Sequence, residues 1–242
     1  MLYSTEGVDV MRILAIETAL IGGSVAALEN ETLLSEIPLD PERRTTRSLT
    51  PAMHDLLQQV GWRSTDVECI GVSIGPGSFT GLRIGVTAAK AFAYATGAAV
   101  SGVITLHTLA AQIPIFQGSL WAVMNAERSQ VYASRFESQT GEWIETSPPQ
   151  IIDAAPLFES LTAGTQITGP ALREFSAILP RQASLVDEKL WTPRAATVGQ
   201  LAFRKIQAGQ QDDLWSLVPF YLRDSAAREK ILLKPDAPAK EL

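Results

Sequence analysis

The sequence has 242 residues, of which 46% are hydrophobic and 19% are charged. This composition supplies a full apolar core and excludes a disordered chain; at roughly 150 residues per domain, we expect two compact lobes. The formal net charge of −6 leaves no general excess of lysine and arginine to neutralise a phosphate backbone, which argues against tight, autonomous nucleic-acid binding.

The single cysteine and the distribution of apolar residues indicate a cytoplasmic protein. Cys69 lies in an apolar run, where we expect a buried thiol in a reducing compartment. No apolar stretch reaches the roughly 18 residues of a membrane span, so we expect no membrane partner. The first residues lack the charged and apolar segments of a signal peptide. We predict flexible ends at 1–10 and 224–242.

The first half of the chain predicts three consecutive strands followed by alternating helices and strands. The predicted strands are 13–16, 24–28, 32–37, 67–74 and 98–103. The predicted helices are 49–60, 82–96 and 106–112, with Thr50 and Pro51 as cap and first turn of the first helix and Gly97 ending the second. We interpret 38–47 as a loop. This order predicts an α/β fold in which a mixed sheet has helices on its faces.

The second half of the chain begins with a series of predicted strands that resembles the start of the first half. Strands are predicted at 121–125, 130–136 and 143–145, and the signals weaken after Pro148 and Pro149. There we predict a helix at 155–161, a strand at 166–168 and a helix at 171–179, followed by a clearer helix at 195–207. The predicted domains are an N-terminal lobe at 12–112, completed by 195–222, and a smaller lobe at 113–194.

The loop at 75–81 invites a chemical interpretation because it joins an apolar strand to a helix. A helix N-terminus can hold an anion. Gly75, Gly77 and Gly81 miss the dinucleotide-binding spacing, and no Gly-Lys-Ser/Thr follows. The alternative is a tight turn in which Ser78 or Thr80 caps the helix, and motif spacing alone favours that turn.

Several longer strings agree with one family. The strings are GPGSFTGLRIG at 75–85, ILAIETA at 13–19, VITLHTLA at 103–110, NAERSQVYAS at 125–134 and PFYLR at 219–223. Together they resemble the TsaB (YeaZ) family of tRNA threonylcarbamoyladenosine biosynthesis proteins. The resemblance spans about residues 12 to 223 and is strongest in the first half.

The resemblance implies a two-lobed actin-like, sugar-kinase-like (ribonuclease-H-like) fold and a non-catalytic subunit. Such a subunit pairs with its paralogue TsaD, which transfers threonylcarbamoyl to the adenosine beside the tRNA anticodon, and an ATPase, TsaE, joins the assembly. It implies that ATP and a divalent metal bind only in the partner subunits and that tRNA is reached through the complex. Whether the isolated chain is a monomer or a homodimer stays open.

Some positions depart from the family pattern. Glu17 and Asn125 stand where aspartate is usual, and RRTTRSL at 43–49 replaces a common Ser-Glu or Glu-His pair. These departures weaken the expectation of a conserved acidic or polar site in this chain.

The histidine, cysteine and serine residues lack the sequence spacing of metal sites and activated nucleophiles, so we predict no catalytic residue and no metal site. His54 and His107 are far apart in sequence and do not form the i, i+4 pair of a metal-binding helix. Cys69 lies within a predicted buried strand, and Ser78 has no nucleophile elbow. Glu17 alone makes a poor magnesium site. The remaining candidates for cofactor binding are Glu17, Gly75, Gly77 and Ser78, and the alternative function is an ATP-dependent phosphotransferase or a hydrolase with a site between the lobes.

Two surfaces are candidates for macromolecular contacts. Arg43, Arg44 and Arg47 could touch RNA, although arginines in a polar loop are usually a solvated face. The helices predicted at 49–60 and 82–96 form a candidate partner interface, because small residues on the second allow close helix packing; the alternative is that both helices are core. The interface residues that we predict are Leu49, Met53, Leu56, Gly85, Ala89 and Ala93.

Overall fold

The computed structural model describes residues 10–223, so the predicted flexible ends at 1–10 and 224–242 lie, except for residue 10, outside the described residues. Residues 12–111 build one mixed sheet with its helices. Its elements are β1 (Arg12–Glu17), β2 (Ser24–Glu29), β3 (Thr32–Pro38), α1 (Thr45–Gln59), β4 (Cys69–Gly75), α2 (Phe79–Thr96), β5 (Ala99–Ile104) and α3 (Thr105–Ala111), with a 3-10 turn at Ser64–Asp66.

A second mixed sheet follows. Its elements are β6 (Ser119–Asn125), β7 (Gln130–Gln139), β8 (Glu142–Asp153), α4 (Ala154–Ser160), β9 (Thr165–Thr168), α5 (Ala171–Glu174) and β10 (Ser184–Leu185), with 3-10 turns at Ser176–Ile178 and Glu188–Leu190. The last helix, α6 (Ala195–Gln207), contacts β1, β2 and β4 and therefore returns to the first sheet.

The two sheets have the same topology. The first has the strand order β3-β2-β1-β4-β5 and the second β10-β9-β6-β7-β8. In each, the first three strands of the unit pair antiparallel, and the last two add in parallel beside the first strand. This repetition confirms the predicted two-lobed, actin-like α/β fold with mixed sheets flanked by helices.

The first sheet is buried on both faces because helices cover each side, and successive strand residues point to alternate faces. Leu14 and Ile16 face a core that they share with α1 and α2. Ile13 and Ala15 face the opposite side and pack with α6. A third cluster joins residues of the first lobe to β6 and β7 of the second, and so holds the two lobes together.

The start of α1 is a correction to the sequence analysis. The helix begins at Thr45 with Arg44 as its N-cap, so part of the predicted loop is helical and the prediction of Thr50 and Pro51 as cap and first turn is wrong. Pro51 lies inside the helix and lacks the N–H that would bond a carbonyl one turn earlier. Burial of the apolar face of α1 outweighs that loss.

The second correction concerns the region after residue 140. β8 runs through Pro148 and Pro149 and is far longer than the predicted strand at 143–145. It is the edge strand of its sheet, where a missing N–H is tolerated. The helix predicted at 171–179 divides into α5 and a 3-10 turn. The prolines were visible in the sequence and shortened the predicted strand, whereas the edge position of β8, which tolerates them, was not visible there.

Candidate functional site

The loop at 75–81 is shaped by close packing against the end of β1. The Ser78 hydroxyl accepts a hydrogen bond from Gly81 N at 3.2 Å, which confirms Ser78 as the N-cap of α2. The Ser78 backbone N–H donates to Ala19 O at 2.7 Å. A Cβ added at Gly77 would lie 2.6 Å from Ala19 O, and one at Gly81 would lie 2.1 Å from Thr18 O. These two glycines are therefore explained by the approach of two backbones.

Glu17, the sequence candidate for a cation, lies fully buried beneath this loop. Its Oε1 accepts a hydrogen bond from Ala19 N at 2.6 Å, and its other oxygen accepts one from the Ser73 hydroxyl. Burial raises the pKa of Glu17 to about 7, against the lowering effect of the bonds from Ser73 and Ala19. A carboxyl with these partners stabilises the end of β1 and is not exposed to a ligand in the cleft. Within residues 10–223, no three potential metal ligands come together.

A cleft of about 740 Å³ opens between the lobes next to the 75–81 loop. From the first lobe it is lined by Gly77 and Ser78, and from the second by Asn125, Glu127 and Glu174. The Asn125 amide donates to Glu174, and its oxygen accepts from Glu127 N at 2.7 Å. Two carboxylates, against the single guanidinium of Arg223, leave the charged lining of the cleft net negative, which disfavours a polyphosphate ligand.

Residues 219–223, which we call the strap, cross from the first lobe to the second. Phe220 N donates to Ile74 O at the end of β4, 2.7 Å away. The Tyr221 ring stacks on Phe79 with centroids 4.8 Å apart, and its hydroxyl accepts from Arg83 Nε at 3.1 Å. Arg223 donates to Ala126 O and to Gln130 in the second lobe. The strap was recognised in the sequence only as a family motif, because its contacts are all distant along the chain.

The remaining candidates for catalysis occupy structural positions. Cys69 is buried, and burial raises the pKa of its thiol to about 12, so it holds no thiolate near neutral pH. His54 is exposed on α1. The Nε2 atom of His107 lies 2.8 Å from Glu145 Oε1, and its ring meets Phe136 edge to face. The structure does not bring the histidines and the cysteine into one group of metal ligands.

The six predicted interface residues lie inside the chain's own core. Leu49, Met53 and Leu56 of α1 are at most 7% exposed, and Gly85, Ala89 and Ala93 of α2 are also buried. Their side chains therefore do not form the open surface of the helix pair. The exposed residues of α2 are Thr80, Arg83, Thr87, Ala91, Tyr94 and Ala95.

An exposed aromatic pair continues this open face of α2. Tyr94 and Trp215 are each 71% exposed and meet edge to face, with centroids 5.7 Å apart. Lys90 Nζ donates to the carbonyls of Trp215 and Leu217, both at 3.0 Å, and so holds the segment that presents the indole. The sequence analysis did not identify Tyr94 or Trp215 as surface residues, because the only signal for Trp215 was an isolated aromatic residue.

The arginines at 43, 44 and 47 lie together on the surface at the start of α1.

No helix among residues 10–223 is long and apolar enough to cross a membrane.

Comparison with known proteins gives consistent relatives along nearly the whole chain. A family model described as TsaD: tRNA N6-adenosine threonylcarbamoyltransferase matches residues 28–168. The chain is 30% identical to the tRNA threonylcarbamoyladenosine biosynthesis protein TsaB of Bacillus subtilis over 91% of this chain and 97% of that protein. The corresponding protein of Escherichia coli is 28% identical over 91% of this chain and 98% of its own length. The solved structure of YeaZ from Pseudomonas aeruginosa superimposes with a TM-score of 0.73 at 24% identity, covering 88% of this chain and 100% of that one.

Proposed function

Because the chain belongs to the TsaB (YeaZ) family and takes part in tRNA threonylcarbamoyladenosine biosynthesis, we propose that it is the non-catalytic subunit that binds and activates a TsaD-type transferase. The transferase performs the chemistry, with ATP and a divalent metal bound in it and in a TsaE-type ATPase. The carboxylates of Glu127 and Glu174 at the cleft of this chain support that division, since they repel phosphates.

The open face of α2 is the observation that carries the proposal. Ala91 and Ala95 leave room for a partner helix to approach, and Tyr94 and Trp215 form an exposed aromatic pair beside them. Aromatic side chains held on a fixed backbone are the usual anchors of protein interfaces. We propose that this face, rather than the six buried residues of the sequence prediction, contacts the transferase. A second copy of the chain is the competing occupant when the transferase is absent.

The test is reconstitution of the full chain with the transferase paralogue and the ATPase from the same organism, supplied with ATP, unmodified tRNA and an activated threonylcarbamoyl donor. We expect tRNA modification, measured by nucleoside mass spectrometry, to require this chain and the transferase together. Modification by this chain alone would contradict the proposal.

Variants locate the surface in the same experiment. We expect Ala95→Glu and Trp215→Ala each to weaken transferase binding at least tenfold in calorimetry, with an unchanged melting temperature. Ala177→Glu, at an exposed alanine of the second lobe, is the matched control. Undiminished affinity of both α2-face variants would move the interface elsewhere.

A further inference from the structure

Three arginines gather on the surface where α1 begins. We call Arg43, Arg44 and Arg47 the arginine cluster; with Glu42 they line a shallow concavity of about 510 Å³. All three are exposed. Their planar guanidinium groups can bind phosphate oxygens through paired hydrogen bonds.

Two of these three arginines, unlike the third, have no acidic partner within the described part of the chain. Arg43 pairs with Asp40 at 3.3 Å. Among residues 10–223, the guanidinium groups of Arg44 and Arg47 have no ion pair or hydrogen bond. Exposed Arg173 and Arg204 instead pair with Glu188 and Glu31. Arg181, also exposed, has no ion pair among the described residues, but it shares its concavity with Glu159 and with no other arginine. The cluster therefore keeps two cations available for an external anion.

The position of the cluster on α1 adds to its positive potential. Arg44 is the N-cap, its side chain accepts no capping hydrogen bond, and the first turn holds no acidic residue. Cations at a helix N-terminus are unfavourable because they meet the positive end of the helix dipole. An anion at this place would relieve the repulsion between Arg44, Arg47 and the helix.

We infer that the arginine cluster contacts the phosphate backbone of the tRNA substrate in the assembled complex. The inference rests on the proposed function, which brings tRNA to the assembly. Two or three phosphate contacts cannot hold RNA on a chain of net charge −6, but they add to the contacts made by other subunits. The carboxylate of Glu42, which has no ion pair among residues 10–223, lies on the same concavity and weakens this contact by repelling phosphate.

The experiment measures tRNA affinity of the reconstituted complex by fluorescence anisotropy across a range of salt concentrations. For Arg44→Ala/Arg47→Ala we expect an affinity loss of about tenfold at low salt and a log K against log salt slope smaller by about 2. Glu42→Gln should raise the affinity about twofold to threefold, because it removes the repelling charge. Arg173→Ala/Arg204→Ala, at exposed and paired arginines, is the matched control.

Assembly with the transferase is measured in parallel by calorimetry. Unchanged assembly with reduced tRNA affinity and a reduced salt slope supports the inference. If the arginine variants lose the transferase, the cluster binds an acidic protein surface and the inference is wrong. Unchanged tRNA affinity also overturns it. Failure of the wild-type proteins to assemble would instead reject the proposed function, so the two failures are distinguishable.

Discussion

Glu17 is a carboxylic acid placed where no water reaches it. The side chain is fully buried at the end of β1, and its two hydrogen bonds, from Ser73 and Ala19, do not compensate for the loss of solvation. Its pKa is therefore about 7 in the folded chain, compared with 4.5 for an unperturbed group.

This raised pKa predicts a pH-dependent stability. The folded chain binds the Glu17 proton more tightly than the unfolded chain does, so the stabilisation is fully present below pH 4.5 and is lost as the pH rises to about 7. The expected fall in the free energy of unfolding is about 3 kcal/mol. Urea denaturation from pH 4.5 to 8 measures it.

Glu17→Gln separates this residue from the other titrating groups. The amide does not titrate and can still accept from Ala19 N, so we expect the fall between pH 4.5 and 7 to disappear and the variant to exceed the wild type above pH 7. Glu137→Gln, at an exposed carboxylate paired with Arg135, should keep the wild-type profile. An unchanged slope in Glu17→Gln would assign the pH dependence to another group.

At the scale of elements, α2 is held against the end of β1 through glycines. A Cβ on Gly85 would lie 2.2 Å from the Thr18 hydroxyl oxygen, which has no hydrogen-bond partner among the described residues. A Cβ on Gly81 would meet the Thr18 carbonyl oxygen instead. One contact is with a side chain that can be removed, and the other is with backbone.

This difference predicts which glycine substitution can be rescued. We expect Gly85→Ala to destabilise the chain by about 1 to 2 kcal/mol, because overpacking outweighs the gain in helix propensity. Adding Thr18→Ala should restore that stability, since the next nearest Thr18 atom to the new methyl, its Cβ, is 3.4 Å away.

Gly81→Ala is the matched control for this double-mutant cycle. Thr18→Ala leaves the backbone carbonyl in place, so we expect no rescue of Gly81→Ala when the free energy of unfolding is measured by urea denaturation. Equal rescue of both glycine variants would contradict the packing described here.

At the scale of the whole molecule, the strap joins the two lobes across the cleft. Tyr221 packs on α2, near the proposed partner surface, while Arg223 bonds Ala126 and Gln130 at the turn between β6 and β7. That turn includes Glu127, Arg128 and Ser129 in left-handed conformations, which are costly for residues other than glycine. Contacts from Arg223 help to hold it.

Removing the Arg223 guanidinium should therefore loosen the second lobe locally. For Arg223→Ala we expect faster hydrogen exchange at 126–130 and a loss of about 1 to 3 kcal/mol, the range for hydrogen bonds from a charged group. Arg135→Ala removes a partly exposed ion pair with Glu137 within the second lobe and should change the free energy of unfolding by less than about 1 kcal/mol. Unchanged exchange at 126–130 would show that the turn is held by other contacts.

The sequence by itself determined the order of elements in the first lobe, the repetition of that lobe, the choice of Ser78 or Thr80 as the cap of α2, and the family. These features follow from local periodicity, from cap chemistry and from motif strings, all of which depend on neighbouring residues. The long β8 and the earlier start of α1 were not predicted, because an edge position and a buried helix face override the local effect of proline.

Only the tertiary structure decided which residues are available for contact. The same small residues of α2 predicted a partner interface, yet Gly85, Ala89 and Ala93 face the core, whereas Ala91, Tyr94 and Ala95 face outward. Helical periodicity defines the faces of α2 but not the one that meets the sheet. Likewise, the pairing of Arg223 with the second lobe depends on residues that folding brings together from distant sequence positions. The same holds for the lack of acidic partners for Arg44 and Arg47 within residues 10–223.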